Sequence, residues 1–252
     1  MIRIIRSENA VEIGKAAADV VCELLASKPD AVLGLATGSS PIEMYKELIR
    51  RCKDGEISFK NVKTVNLDEY VGLEPTHDQS YAYFMNDNLF NHVDIDKSNT
   101  NLPRGLAEDT EAECRRYDAV IDSMGGVDLQ VLGIGNNGHI GFNEPDDHFT
   151  YGTNCVELTD STIDANSRFF ASRELVPTRA ITMGIGQIMK AKKILLVANG
   201  KGKAEILDKA LFGEVTPSVP ASILRFAADV VVCADDDALS VIMEKHPDAV
   251  VG

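Results

Sequence analysis

Two observations put this chain in the α/β class. Short aliphatic or β-branched runs alternate along its length with longer amphipathic ones, and the short runs are apolar almost throughout. Apolarity on successive residues fits strands covered by helices on both faces, because neighbouring residues in a strand point to opposite sides of the sheet. The expected architecture is a Rossmann-like three-layer α/β/α fold whose mainly parallel central sheet has about seven strands. In order, the run Arg3–Ile5 precedes the alanine- and valine-rich helical pattern Ala10–Ala26. Ala31–Ala36 (AVLGLA) precedes Pro41–Cys52, and Lys63–Leu67 precedes Ser80–Phe90 and Thr110–Met124. Asp128–Ile134, Arg179–Met183 and Ile194–Ala198 follow as strands, then the helix Lys203–Phe212, the strand Asp229–Cys233 and the helix Asp237–Lys245. In such sheets ligands bind where the C-terminal ends of strands open into loops, so the loops after the second, third and fourth strands carry the most information.

The chain has 252 residues, of which 44% are hydrophobic, enough for one large core. Glycine and proline are scattered, no linker stands out, and residues 1–252 are read as a single domain. The formal net charge of −14 argues against nucleic acid or an anionic membrane as partner, since both require a basic face. A small phosphorylated substrate remains compatible, because it needs only a few local cations and backbone N–H groups. The five cysteines form no CxxC pair, which fits reduced thiols and a cytoplasmic setting better than a disulfide framework. The start, MIRIIRSENA, is too short and too charged for a signal peptide. No apolar run approaches the roughly 20 residues that span a bilayer.

Three loops carry candidate chemistry. In LATGSSPIEMY, Leu35 to Tyr45, Ser40 is placed as an N-cap with Pro41 at the first helical position and Glu43 three residues beyond the cap. Thr37, Gly38 and Ser39 then present N–H groups and hydroxyls at a helix start, where an anion is favoured, although a capped helix alone would use the same residues. In VNLDEYVGL, Asp68 and Glu69 close a strand, so one can serve as a general base in a cleft or both can be solvated acids. In GIGNNGHIGFNEP, Gly133 to Pro145, the glycines around His139 permit close backbone approach. His139 is a proton shuttle near neutral pH, Glu144 can orient it, and Asn137 adds a neutral donor and acceptor; a structural turn histidine is the competing reading. Arg168 in ANSRFF and Lys203 in NGKGKAEIL are candidate phosphate cations or plain surface charges. The zinc-deaminase signature is absent, the other histidines show no ligand spacing, and GIGNNG runs into His139 rather than a helix. No metal is expected.

These motifs, in this order from about residue 30 to residue 230, resemble the glucosamine-6-phosphate deaminase family. DEY together with GHIGFNEP is specific to it, while a looser Gly-His motif is shared with 6-phosphogluconolactonases. The resemblance implies conversion of glucosamine 6-phosphate and water to fructose 6-phosphate and ammonia, without metal or organic cofactor. It implies that His139, oriented by Glu144 and Asn137, opens the pyranose ring, and that Asp68 moves the C2 proton to C1. Thr37, Gly38, Ser39, Ser40, Arg168 and Lys203 would hold the phosphate. Many members carry Asp where Asn137 stands here. The segment after Pro145 also lacks the Arg and Lys residues with which hexameric members bind the activator N-acetylglucosamine 6-phosphate; Asn154, Val156 and Glu157 stand there instead. A monomer or small oligomer without that activation is expected, with a lid at about residues 146–172. A galactosamine 6-phosphate enzyme, a lactonase and a non-catalytic sugar-phosphate sensor are the competing functions. The lactonase has no use for a base at C2, nor the sensor for a proton shuttle.

Overall fold

In a computed structural model that describes residues 2–168 and 170–251, the strands fall into two sheets. The eight-stranded sheet contains β1 (Ile2–Ser7), β2 (Val32–Leu35), β3 (Lys63–Asn66), β5 (Thr100–Asn101), β6 (Leu129–Leu132), β9 (Lys193–Ala198), β10 (Val230–Asp235) and β11 (Val250–Val251). Its order is β11-β1-β10-β9-β6-β2-β3-β5, and every pairing is parallel. A three-stranded antiparallel sheet joins β4 (Asp68–Tyr70), β8 (Arg179–Thr182) and β7 (Asn154–Glu157) in the order β4-β8-β7. Every residue of β2 and β6 is buried, so both faces of the large sheet are covered, as their unbroken apolar runs require.

The helices are α1 (Ala10–Ser27), α2 (Ile42–Lys53), α3 (Tyr81–Met85), α4 (Thr110–Ser123), α5 (Asp160–Ser167), α6 (Ile185–Met189), α7 (Ala204–Phe212) and α8 (Asp236–Lys245). Their starts follow local chemistry. Asn9 accepts from the N–H groups of Val11 and Glu12, Asp109 from Ala112, and Asp235 from Ala238. α1 packs on β1, β9, β10 and α2, and α8 on β1, β10 and α7. Among the described residues, no helix is long and apolar enough to cross a membrane.

Two expectations change. The apolar run Arg179–Met183 does not join the large sheet. It forms β8, the centre of the small one, and the edges of the large sheet are instead the two-residue strands β5 and β11. A short apolar run looks alike in either sheet, so its pattern carries no signal of which one it joins. The helix expected over Ser80–Phe90 is α3 for one turn and then widens to π geometry over Asn86–Phe90.

The order of strands positions the site. β2 leads through α2 to β3 on one side, whereas the chain after β6 reaches β9 on the other. β2 and β6 are neighbours, so their following loops diverge and leave a crevice at the switch point of the sheet.

Gly14 shows how closely the layers approach. A Cβ there would stand 2.6 Å from the backbone carbonyl carbon of Glu43 in α2. Helix propensity alone would make Gly14→Ala stabilising by about 1 kcal/mol. The contact predicts the opposite sign, a loss of about 1–3 kcal/mol in urea unfolding, as overpacking gives. A more stable variant would mean that α1 and α2 do not meet here.

Candidate active site

Four neighbouring strands, β9, β6, β2 and β3, deliver every sequence-predicted residue but Arg168, which ends α5, to one end of the sheet. Each predicted site residue except Glu144 lines a single cavity of about 510 Å³. Glu144 stands behind the wall, where its carboxylate holds that wall in place.

The loop after β2 is anchored at its start by the buried Tyr45 hydroxyl, which donates to the Ala36 carbonyl at 2.6 Å. Gly38 adopts φ +87°, and a side chain there would meet nothing within 4 Å, so the backbone lies open to the cavity. Ser40 does not cap α2. The N-cap is Pro41, without a side-chain bond, and Glu43 pairs with Lys46. The Ser40 hydroxyl packs beside Gly133 instead, and with Thr37 and Ser39 it lines the cavity. The expected capping box is therefore absent. The hydroxyl that would have served the helix is turned toward ligand space.

Asp68 is placed by the crossing between the sheets. The Leu67 N–H donates to the Leu35 carbonyl of the large sheet at 3.1 Å, and the Leu67 carbonyl accepts from the Met183 N–H, just after β8, at 2.7 Å. The next residue is turned inward, and Asp68 is 6% exposed. Burial, and then the neighbouring Glu69, push its carboxyl up to about 8. Glu69 has a different task. Its oxygens accept from the N–H groups of Tyr70, Tyr81 and Ala82, which satisfies the start of α3.

The glycine-rich loop after β6 folds back on itself. Gly135 N–H donates to the His139 carbonyl at 2.9 Å, Gly138 N–H to the Gly135 carbonyl at 3.0 Å, and His139 N–H to Asn137 Oδ1 at 3.1 Å. The imidazole lies flat on Gly135, where a Cβ would come within 2.3 Å of the ring. Gly141, at φ +60°, passes so close to β4 that a Cβ would be 3.6 Å from Asp68 Oδ2. The histidine loop and the aspartate thus meet at the cavity.

Glu144 binds this loop together. Asn137 Nδ2 donates to its Oε2 at 2.5 Å, and the Thr162 hydroxyl to its Oε1 at 2.5 Å, while His139 Nδ1 stands 3.4 Å from Oε1. Burial pushes the carboxyl up, but His139, Thr162 and Asn137 overcome it and bring the group down to about 2. Across the cavity Lys203 Nζ donates to Asn136 Oδ1 at 2.6 Å, and burial lowers its pKa. Arg168, exposed at the end of α5, lines the same space.

Sequence reading missed Tyr81, Asn136, Thr162 and Asn166, all of which line the cavity. Only Thr162 had a local signal, being three residues after Thr159, the N-cap of α5. Among the described residues, the trio Asp146, Asp147 and His148 has ligand atoms close enough to share a metal ion. It is fully exposed and lies outside this cavity.

Residues 6–233 match the family described as glucosamine-6-phosphate isomerases/6-phosphogluconolactonase. A glucosamine-6-phosphate deaminase of Clostridium perfringens is 53% identical over 240 residues, covering 95% of this chain and 99% of that protein. One from Lachnoclostridium phytofermentans is 56% identical over 230 residues, covering 91% and 98%. The solved structure of a monomeric glucosamine-6-phosphate deaminase superposes with a TM-score of 0.92 at 46% identity, covering 95% of this chain and 99% of that one. A 6-phosphogluconolactonase from Thermotoga maritima shares the fold, with a TM-score of 0.73 at 19% identity.

The raised Asp68 group ties stability to pH. The folded chain binds this proton more tightly than the unfolded one. Its contribution is therefore complete below the ordinary aspartate range and is lost as pH rises through about 8. Asp68→Asn removes the titration. Its melting temperature should rise relative to the parent between about pH 5 and about pH 9. A difference that stays flat with pH would show that Asp68 is not buried as described.

Proposed function

The chain belongs to the family of glucosamine-6-phosphate isomerases and 6-phosphogluconolactonases, and on that premise we propose that it converts glucosamine 6-phosphate and water to fructose 6-phosphate and ammonia. The observation that carries this reading is a buried carboxyl from β4 and an imidazole from the loop after β6 facing one cavity, with hydroxyls and cations along its lining.

Thr37, Gly38, Ser39 and Ser40, with Arg168 and Lys203, bind the phosphate. The tether spends binding energy from a remote group on orientation at the reacting carbons. His139 moves a proton from the anomeric hydroxyl to the ring oxygen, and Asn137 and Glu144 fix the imidazole while it does so. The ring opens to an aldehyde, which acidifies the hydrogen on C2. Asp68 takes that proton and returns it to C1, and the resulting fructosimine is hydrolysed at its C–N bond. No step needs a metal or an organic cofactor.

The protonation state of the base suits this substrate. With burial and the neighbouring Glu69 pushing its carboxyl up to about 8, Asp68 is largely neutral near pH 7. The amino group on C2 of glucosamine 6-phosphate brings a positive charge next to it, and a nearby opposite charge favours the carboxylate. The charge at C2 thus ionises the base that acts at C2. A lactone brings no such charge, which favours the deaminase over the lactonase reading. Asn154, Val156 and Glu157 offer no cation for a second phosphate, so we read the enzyme as a monomer without activation by N-acetylglucosamine 6-phosphate. It works as a single cytoplasmic domain, and the span 146–172, which includes Phe169 outside the described residues, forms its lid.

Purified protein given glucosamine 6-phosphate should release ammonia and fructose 6-phosphate in equal amounts, with hyperbolic kinetics. Tight binding without either product would favour a sensor, and sigmoidal kinetics relieved by N-acetylglucosamine 6-phosphate would overturn the expected lack of activation. Asp68→Asn should lower kcat by about 10²–10⁴-fold, the usual weight of one acid–base group, with little change in substrate binding. In the parent enzyme kcat/KM should climb with pH toward about 8, as free Asp68 ionises. A flat profile across that range would remove Asp68 from the role of base.

A further inference from the structure

One hydroxyl beside the site has no task in the scheme above. Thr162 lies in the first turn of α5, on a segment 18 residues beyond Glu144, and is 8% exposed. Its Oγ1 donates to Glu144 Oε1 at 2.5 Å, and this is the oxygen that faces His139 Nδ1 at 3.4 Å. The other oxygen, Oε2, is taken by Asn137 Nδ2. The Thr162 hydroxyl itself accepts from Thr159 Oγ1 at 3.1 Å, and Thr159 caps α5 by accepting the Thr162 N–H at 3.3 Å. A short chain of hydroxyls therefore runs from the start of α5 to the carboxylate beside the imidazole.

The geometry makes that hydroxyl decisive for the carboxylate's orientation. A carboxylate with a donor on each oxygen is fixed about its last torsion, which is otherwise broad. His139 Nδ1 is buried and has no well-formed hydrogen bond; 3.4 Å is too long for one. A small rotation of Glu144 decides whether the Nδ1–H is held, and hence which ring nitrogen carries the proton. Without Thr162, only Asn137 constrains the group, and Oε1 is free to swing.

We propose that Thr162 is a positioning residue: its hydroxyl holds Glu144 Oε1 at the angle that orients the His139 imidazole, and so links the first turn of α5 to the proton shuttle. This rests on the deaminase reading for its catalytic consequence, but not for its structural one. Asn137 and Thr162 act as a pair, one on each oxygen.

The test compares Thr162→Val, which keeps the shape and removes the hydroxyl, with Thr162→Ser, which keeps the hydroxyl and removes the methyl. Losing one charge-assisted bond predicts a fall in kcat of roughly tenfold for the valine variant, with KM within about twofold and the serine variant within about threefold of the parent. Nitrogen NMR of the imidazole, recorded without substrate, should show the His139 tautomer balance altered in Thr162→Val and restored in Thr162→Ser. Should the valine variant not fold, Thr162→Ala takes its place in both measurements. Parent-like kcat with an unchanged imidazole spectrum would overturn the proposal, as would a serine variant as impaired as the valine one. If the parent releases no ammonia, the deaminase reading fails and the imidazole spectra alone decide the role of Thr162.

Discussion

The site depends on one residue shared by two sheets. Leu67 gives its N–H to the parallel sheet through Leu35 and its carbonyl to the antiparallel one through Met183. A residue cannot do both without the chain turning between them, and the turn carries Asp68 out of register with β3 into the seam. Everything else at the site is measured from that point. β2 and β6 flank the crevice at the switch point, and Gly141 brings the histidine loop against the same seam through its contact with Thr182 and Asp68. The small sheet is therefore part of the active-site scaffold rather than an appendage, since without β8 the aspartate has nothing to turn toward.

Three carboxylates, two of them buried and Glu144 partly so, show how environment separates structural from chemical roles. Asp128, at the opposite end of the large sheet, accepts from Lys28, Lys192 and the Val32 N–H; burial raises its pKa, but these partners lower it further. Glu144 is likewise brought down by its donors. Among the described residues Asp68 has no cation against it, only Glu69, and its carboxyl moves up. A fully satisfied carboxylate fixes neighbouring groups in place, whereas one left short of partners is ready to exchange a proton. Burial pushes both carboxyls of the Asp-Glu pair up, but their oxygens are used differently. Glu69 spends its oxygens on three backbone N–H groups, and Asp68 keeps its own for the cavity.

The sequence made the large sheet legible because unbroken apolar runs such as VLGL and LQVL are legible, and it made the loops legible because glycine, histidine and acids cluster right after those runs. It failed where partners, not patterns, decide. RAIT could join either sheet by composition, and its antiparallel neighbours are separated from it by more than twenty residues or more than a hundred. The capping box around Ser40 had every local residue in place, yet the chain starts α2 one residue later and leaves the hydroxyl to the cavity. Thr162 was invisible as a site residue because its importance lies in reaching Glu144 across the fold, and a threonine in a helix start is ordinary by itself. Local preferences are weak priors that tertiary contacts override, and the overrides here gather around the cavity.

The unpaired state of Asp68 has a meaning beyond the resting enzyme. A weakly acidic carbon yields its hydrogen only to a strong base, and a carboxylate in open water is a poor one. Shielding it from solvent makes it a stronger acceptor once it is charged, because the neutral form is what its surroundings prefer. In the proposed scheme, halfway through the transfer, with the hydrogen gone from one carbon and not yet delivered to the next, the aspartate is that neutral form. The cost of keeping a charge in the seam is thus the mirror image of a favourable energy for the fleeting enolamine stage, written into the backbone at Leu67.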